Sequence, residues 1–423
     1  MTQVEASAAA TYRSLLRHTN GALAVSQRRV GRGAVEVAAE GCHVRLSDGR
    51  SLLDFGGYGV SFFGHRHPAI VAAVAEQLGV LTTSTRLVAN TVTATFVDEL
   101  KASVARSDLT RIWLGLNGSD VVELALKLAA RVAGRPRMLC LERSFHGKTM
   151  AALSVSASRN DEIPGYRRPT AIAPTLESLE RELAVGDVAA LIFEPIQGEG
   201  GVHEVDLAFL ASASDALHAA GAFFISDEIQ VGFGRCGPIS IAVEYGLECD
   251  AVLFGKALGG GVLPLAALIA SASLFQPATK DAWFHTTTFS GHPLCVAAGL
   301  AALRVLPSLR ELVPAIDSRV GNALARVRLS SPDVCDVRGR GALWGIELRD
   351  AAIAARTVAD LADAGLLVSP CVAAPAVLRL FPPACASDDE IDTAMEIMFD
   401  VLSAASAAGR GRRVKEEVDD VGS

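Results

Sequence analysis

The central part of the chain alternates short, almost wholly apolar runs with segments of helical periodicity. The runs are Arg111–Leu116, Met138–Leu141, Ala189–Phe193, Ala222–Ser226, Ala251–Phe254 and Leu265–Ala270. The helical pattern is clearest over Val121–Ala133, where Glu123, Lys127 and Arg131 recur at i, i+4 spacing. Strands without a polar face must be covered on both sides. The pattern therefore predicts an α/β fold in which helices pack on both faces of a mostly parallel sheet.

The segments on either side of this region predict a second, smaller α/β unit. The first twenty residues resemble a loosely held arm, and Cys42–Phe55 is typical of a β-hairpin with its turn at Asp48-Gly49. Further strands are predicted at Val337–Leu348, Leu366–Ser369 and Val377–Phe381, and helices at Ala351–Ala364 and Asp388–Ser403. We expect residues 58–307 to form a large domain, and residues 1–57 and 308–403 to form a small one. Residues 404–423 lack periodicity and predict a disordered tail.

Composition argues against several classes of protein. The formal net charge of −8 argues against nucleic acid as the main partner, because phosphate binding requires a basic surface. The eight cysteines are scattered singly, which is typical of a reduced, cytoplasmic protein, and Met1–Ala10 has no basic signal-peptide region. The uncharged stretch Ala257–Thr279 is long enough to span a membrane. Because it contains Gly259-Gly260-Gly261 and Pro264, we expect a glycine loop and a buried strand instead.

Two short motifs carry little functional information. Gly232–Gly237 matches the dinucleotide pattern G-x-G-x-x-G, but it does not connect a strand to the helix that it would open. His65 and His67 have no third ligand nearby in the sequence and make a poor metal site, so we expect a turn with a helix beginning at Pro68.

The most informative residues follow two of the apolar runs. Asp227 and Glu228 come directly after Ala222–Ser226, and Lys256 stands between another run and the glycines at 259–261. Ligands of open α/β sheets bind at the carboxyl ends of strands. A lysine there can be desolvated and nucleophilic enough to form a Schiff base, although a strand-end lysine beside a turn fits the spacing too.

Asn117-Gly118-Ser119-Asp120 lies between an apolar run and the helix that follows it. The free N–H groups at a helix N-terminus bind phosphate well. The same residue types are also good helix caps, so both interpretations stay open.

In combination these segments resemble the signature of the class III aminotransferases, the ornithine, acetylornithine and putrescine type. The matching segments are Gly118-Ser119, Phe145–Lys148, Glu194–Gly201, Asp227–Arg235, Gly255–Gly261, His285–Phe289 and Leu378–Pro383. They occur in the family's order, and the resemblance extends from about Leu53 to Ile397. It implies a fold-type-I enzyme that depends on pyridoxal 5′-phosphate (PLP).

The resemblance also implies roles for individual residues. Lys256 would bind the cofactor covalently and carry protons as general base and acid. Asp227 would keep the pyridine nitrogen protonated, and Gln230 would contact the phenolic oxygen. The remaining cofactor-binding residues would be Phe145 on the ring face, His146, Gly118 and Ser119 at the phosphate, and Thr288 from a neighbouring subunit. A homodimer with shared active sites is therefore expected.

The resemblance further implies which residues select the substrate. Arg379 would grip an α-carboxylate, Glu199 would pair with Arg379 when a substrate lacks one, and Lys148 stands where relatives often have an arginine for a distal carboxylate. Val231 and His292 depart from the usual pattern. We expect a donor with a terminal amine, such as ornithine, acetylornithine, a diamine or diaminobutyrate, and 2-oxoglutarate as acceptor. The alternatives are an aminomutase or decarboxylase with the same cofactor, and a nucleotide-binding or scaffold protein.

Overall fold

The computed structural model of the chain describes residues 7–157 and 168–420. It begins with two helices, α1 (Ala8–His18) and α2 (Gly21–Val30), where the sequence predicts a loosely held arm. The difference has a local cause, because the side chains of Ser7 and Asn20 cap these helices by accepting hydrogen bonds from backbone N–H groups. Three strands follow: β1 (Glu36–Glu40), β2 (His43–Leu46) and β3 (Ser51–Asp54). β2 and β3 form the expected hairpin, and β1 adds an antiparallel strand to it.

The middle of the chain supplies the main sheet and the helices around it. In chain order the elements are α3 (Pro68–Val80), α4 (Thr91–Val104), β4 (Leu109–Gly115), α5 (Gly118–Ala133), β5 (Arg137–Leu141), α6 (Met150–Leu153), β6 (Thr170–Ile172), α7 (Leu176–Leu183), β7 (Val188–Phe193), β8 (Ile196–Gln197), β9 (His203–Glu204), α8 (Leu207–Ala219), β10 (Phe223–Asp227), α9 (Ile241–Glu244), β11 (Ala251–Phe254), a 3-10 helix (Lys256–Gly259), β12 (Ala266–Ser271), α10 (Ala272–Lys280) and α11 (Pro293–Arg310).

The seven-stranded sheet has the order β4-β12-β11-β10-β7-β5-β6. β12 is antiparallel to both of its neighbours, and the pairs among β11, β10, β7, β5 and β6 are parallel. Every residue of β7 and β11 is buried, as expected for strands covered on both faces. The predicted α/β class with a mostly parallel sheet is therefore confirmed. Its strand ends position the residues discussed below.

The C-terminal part forms a second sheet. Its elements are α12 (Val313–Ser330), β13 (Val334–Arg340), β14 (Leu343–Leu348), α13 (Ala351–Ala364), β15 (Leu366–Leu367), β16 (Ser369–Pro370), β17 (Val377–Leu380) and α14 (Asp388–Asp420). The prediction of one strand over Val337–Leu348 is wrong, because the chain reverses at Gly341, whose φ of +62° suits a tight turn. β15 pairs with β3, so this strand of the C-terminal segment belongs to the sheet of the N-terminal hairpin and not to the second sheet.

Helix α14 continues to Asp420, although the sequence predicts a disordered tail after Ser403. The stretch 404–420 contains no proline and is rich in Ala, Arg, Lys and Glu, which have high intrinsic helix propensity. Propensity therefore extends the helix without an apolar period. Residues 421–423 of the predicted tail lie outside the described part of the chain.

Two apolar segments have the length of a membrane span. The uncharged stretch Ala257–Thr279 contains a 3-10 turn, the buried strand β12 and most of α10, which agrees with the predicted loop and strand. Among the described helices, α11 is long and apolar enough to cross a membrane by length and composition, but more than half of it is buried in the protein. It packs against α3 and α4 as a helix of the core.

Candidate active site

A cavity of about 200 Å³ opens at the carboxyl ends of β10 and β11. These strands are parallel neighbours, so Asp227 at the end of β10 and Lys256 just after β11 reach the same edge of the sheet. The cavity is lined by Asn117, Gly118, Ser119, Phe145, His146, Gly147, Glu194, Glu199, Asp227, Ile229, Gln230 and Lys256. Eight of the site residues predicted from the sequence therefore line this cavity.

Lys256 is held in an unusual backbone conformation. Its φ of +45° lies in the left-handed region, which is rare for a residue with a side chain and is found where surrounding structure enforces it. Burial of the ammonium group lowers the pKa of Lys256 to about 8, and the nearby carboxylate of Glu199 opposes that shift. The side chain can therefore present a neutral, nucleophilic amine at a pH where an ordinary lysine is charged.

Asp227 is paired with a buried histidine. The imidazole Nδ1 of His146 donates to Oδ2 of Asp227 across 2.7 Å, and the backbone N–H of Ile229 donates to Oδ1 across 3.1 Å. Both side chains are less than 5% exposed. The carboxylate is thus fixed in orientation by two donors, while the other ring nitrogen of His146, Nε2, is buried and has no partner among the described residues.

The adjacent acid Glu228 has a structural role. Its carboxylate accepts hydrogen bonds from Ser226, Ser240 and the backbone N–H groups of Ile241 and Ala242, which begin α9. Burial raises the pKa of Glu228, and these donors offset part of that effect. Glu228 therefore anchors the loop after β10, and Asp227 is the acid that lines the cavity.

The turn from β4 into α5 forms another wall of the cavity. The side chain of Asn117 accepts a hydrogen bond of 3.0 Å from the N–H of Asp120 and caps the helix. Gly118 and Ser119 occupy the first turn, where N–H groups have no partner within the helix. Asn117 is therefore the helix cap, and Gly118 and Ser119 line the cavity, where phosphate binding stays a prediction.

A chain of polar contacts leads from the cavity to a buried arginine. The amide of Gln230 donates to Oε1 of Glu199 across 3.3 Å, and Glu199 forms an ion pair with Arg379, which is 0% exposed. The N–H of Val372 donates to the other oxygen of Glu199 across 2.9 Å. Burial would raise the pKa of Glu199, but the cations of Arg379 and Lys256 outweigh it and hold that pKa below its usual value.

Glu194 lines the cavity although sequence reasoning assigned it no role. It accepts a hydrogen bond of 2.9 Å from the N–H of Phe145. Burial, with a contribution from the neighbouring carboxylate of Asp227, raises the pKa of Glu194 well above its usual value. The available signal was its position at the start of the segment Glu194–Gly201, which also carries Glu199.

Three predicted site residues are not among those lining this cavity, and one of them is the buried Arg379, which is linked to it through Glu199. Lys148 is exposed and is not among the lining residues, and Thr288 is exposed at the surface of this single chain.

Val231 is buried beside the site, and His292 precedes α11 as its N-cap residue. His65 is paired with Asp54 at 2.9 Å, and a helix does begin at Pro68. No cluster of three metal-ligating side chains occurs within residues 7–157 and 168–404.

The residues of the cavity fit PLP. Two buried polar atoms there have no partner within the described chain, Nε2 of His146 and Oε1 of Gln230. The first turn of α5 offers donors to a phosphate, Asp227 offers a carboxylate to a pyridinium nitrogen, and Lys256 offers an amine to an aldehyde.

Comparison with known proteins gives the same family as the sequence motifs. The family model described as aminotransferase class-III matches residues 26–402. An acetylornithine aminotransferase of Mycobacterium leprae is 34% identical over 88% of this chain and 92% of its own. A putrescine aminotransferase of Pectobacterium atrosepticum is 31% identical over 88% of this chain and 82% of its own. The solved structure of an ornithine aminotransferase from Toxoplasma gondii superposes with a TM-score of 0.81 at 27% identity, covering 96% of this chain and all of that one. The chain therefore belongs to the class III aminotransferases, and it is a PLP-dependent transaminase of fold type I.

Proposed function

We propose that this enzyme transfers an amino group from a donor with a terminal amine to 2-oxoglutarate. The observation that carries the proposal is the ion pair between Glu199 and Arg379 beside Lys256. One pocket must accept two unlike substrates in turn. A buried arginine suits the α-carboxylate of the acceptor, and an acid already paired with it masks that charge when the donor presents a bare amine. The names of the acetylornithine and putrescine relatives agree with such donors.

Asp227 and Lys256 have separate roles in the reaction. PLP, when bound, supplies an aromatic ring that draws electrons away from the carbon bearing the amine. Asp227, oriented by His146 and Ile229, holds the proton on the ring nitrogen. Lys256 takes the proton from that carbon and returns it as a general base and acid, a task that its pKa of about 8 favours near neutral pH.

The other residues of the cavity orient the cofactor. Gly118 and Ser119, which line the cavity, would hold its phosphate, Phe145 would cover a ring face, and Gln230 would bind the phenolic oxygen. Lys148 is proposed to meet a distal carboxylate of the substrate.

A donor screen with 2-oxoglutarate as acceptor tests this proposal. We expect glutamate to form with ornithine, acetylornithine, putrescine or diaminobutyrate as donor. We expect little glutamate with amino acids that have no side-chain amine, such as alanine. Formation of glutamate is measured for each donor, with heat-inactivated enzyme as control. Turnover that needs no 2-oxo acid would instead indicate the aminomutase or decarboxylase alternative, and activity only with amino acids that have no side-chain amine would contradict a terminal-amine donor.

We also propose a cytoplasmic homodimer whose subunits share active sites. Support comes from large apolar side chains exposed on one chain, namely Leu87 (90%), Val88 (74%), Trp283 (82%) and Phe289 (52%). The two segments that carry them are joined by a hydrogen bond from Arg86 to the carbonyl of Thr287. A second copy would cover this surface and place Thr288 beside the phosphate of the partner. The cysteines are all thiols, as in a reducing compartment.

Mixed dimers test the shared site. Lys256→Ala and Thr288→Ala homodimers should each be strongly impaired. Subunits exchanged between them form a heterodimer in which one site contains both intact residues, so the mixture should regain activity. Activity after exchange is compared with that of each parent treated alone. An absence of recovery in verified heterodimers, or a fully active monomer by light scattering, would contradict the proposal.

A further inference from the structure

Two cysteines from opposite ends of the chain are in contact, away from the active site. Cys42 lies between β1 and β2, and Cys385 lies between β17 and α14. Their sulfur atoms are 3.8 Å apart, although 343 residues separate them in the sequence. All eight cysteines fall within the described residues, and no other pair of them makes such a contact. We propose that Cys42 and Cys385 are a dithiol modification site that hydroperoxides oxidise to an intramolecular disulfide.

The surrounding structure permits the bond. A disulfide requires its two sulfur atoms to be about 2.05 Å apart. The sulfur atoms of Cys42 and Cys385 are 3.8 Å apart, so a small displacement brings them to bonding distance. Cys385 lies in the loop between β17 and α14, outside regular secondary structure. Gly64 makes room for it, since a Cβ on Gly64 would lie 2.5 Å from the Cys385 sulfur.

The two thiols are unequal, which sets the order of events. Cys42 is 1% exposed, whereas Cys385 is partly exposed and can meet a small oxidant. The contact with Cys42 lowers the pKa of Cys385, burial and the carboxylate of Glu390 oppose this shift, and His65 favours it. The contact with Asp54 in turn raises the pKa of His65. Because Cys385 is the more accessible of the two, it meets the oxidant first, and Cys42 is the resolving thiol.

The chemistry is balanced with hydrogen peroxide as the oxidant. The Cys385 thiolate attacks one peroxide oxygen, the O–O bond breaks, and the departing hydroxide takes a proton to become water. The resulting sulfenic acid is attacked by Cys42, whose proton leaves with the hydroxyl group as a second water. In sum, two thiols and one peroxide give one disulfide and two waters. A dithiol reductant reverses the reaction.

Peroxide treatment of the holoenzyme tests the site. We expect the wild type to lose two thiols and to yield a linked Cys42–Cys385 peptide in non-reducing mass spectrometry, with dithiothreitol restoring both thiols. Cys335→Ser is the matched control, because Cys335 is exposed and unpaired among the described residues, and it should behave as the wild type. In Cys42→Ala the sulfenic acid should persist and be trapped by dimedone on Cys385, and Cys385→Ser should give neither product.

The contrary results are equally specific. A wild type that loses no thiols, or whose linked peptide joins other cysteines, would overturn the proposal. So would a dimedone adduct confined to Cys335. The wild-type peptide map needs no substitution, so the test does not depend on whether the buried Cys42 variant folds.

Discussion

Replacing Lys256 with alanine is expected to abolish amino-group transfer while leaving the protein folded. The substitution removes both the amine that bonds to PLP and the group that carries the proton, so no partial pathway remains. Turnover should fall by several orders of magnitude, below the detection limit of a glutamate assay. Lys280→Ala is the matched control, because Lys280 is exposed at the end of α10, and it should retain wild-type activity.

Borohydride reduction identifies the lysine directly. It should fix the cofactor to the peptide that contains Lys256 in the wild type and in Lys280→Ala. Because burial lowers the pKa of Lys256 to about 8, the neutral amine increases as pH rises through that value instead of near 10.5. Recombination of the apoenzyme with PLP should accelerate over that range. A label on Lys148 or Lys280 would show that Lys256 is the wrong residue.

The main sheet and the centre of the site are predictable from the sequence because their physical signals are local. Wholly apolar runs require cover on both faces, which predicts that β7, β10 and β11 are buried strands, and their alternation with helical segments favours a parallel arrangement. Side chains that follow the ends of adjacent parallel strands meet at one edge of the sheet. The order of strands and polar residues along the chain is therefore enough to bring Asp227 and Lys256 together.

Other features depend on contacts between distant segments and leave little trace in the local pattern. The partnership of His146 with Asp227 joins residues far apart in the chain, and the importance of Glu194 comes from its burial beside that pair. The left-handed backbone of Lys256 is imposed by its surroundings. The reversal at Gly341 is hard to predict from the pattern because only Gly341 and Ala342 separate the two strands, with no longer polar loop between them.

The Glu199–Arg379 pair makes two opposite substitutions informative about substrate choice. Arg379 is fully buried, stacks near Phe381 and donates to the carbonyl of Pro370, so its position is fixed before a substrate arrives. Glu199 is held by the N–H of Val372, and Gln230 also donates to it. Glu199 therefore keeps hydrogen-bond partners when an incoming carboxylate replaces it on Arg379, as a pocket that binds two unlike substrates requires.

Arg379→Ala is expected to damage the half-reaction with glutamate and 2-oxoglutarate far more than the half-reaction with a terminal amine. Loss of a buried charged partner costs roughly 2–5 kcal/mol, which corresponds to roughly thirty-fold to several thousand-fold in rate. Glu199→Ala should have the reverse preference, because it unmasks Arg379 and favours α-amino acids. Single-turnover kinetics of each half-reaction, followed by the cofactor absorbance, measure the two effects separately. Glu199→Gln is the conservative control, since it keeps the hydrogen bond from Val372 and removes the charge. Equal impairment of both halves by Arg379→Ala would mean that the arginine supports the fold of the site rather than selecting the carboxylate, and the terminal-amine donor would lose its main support.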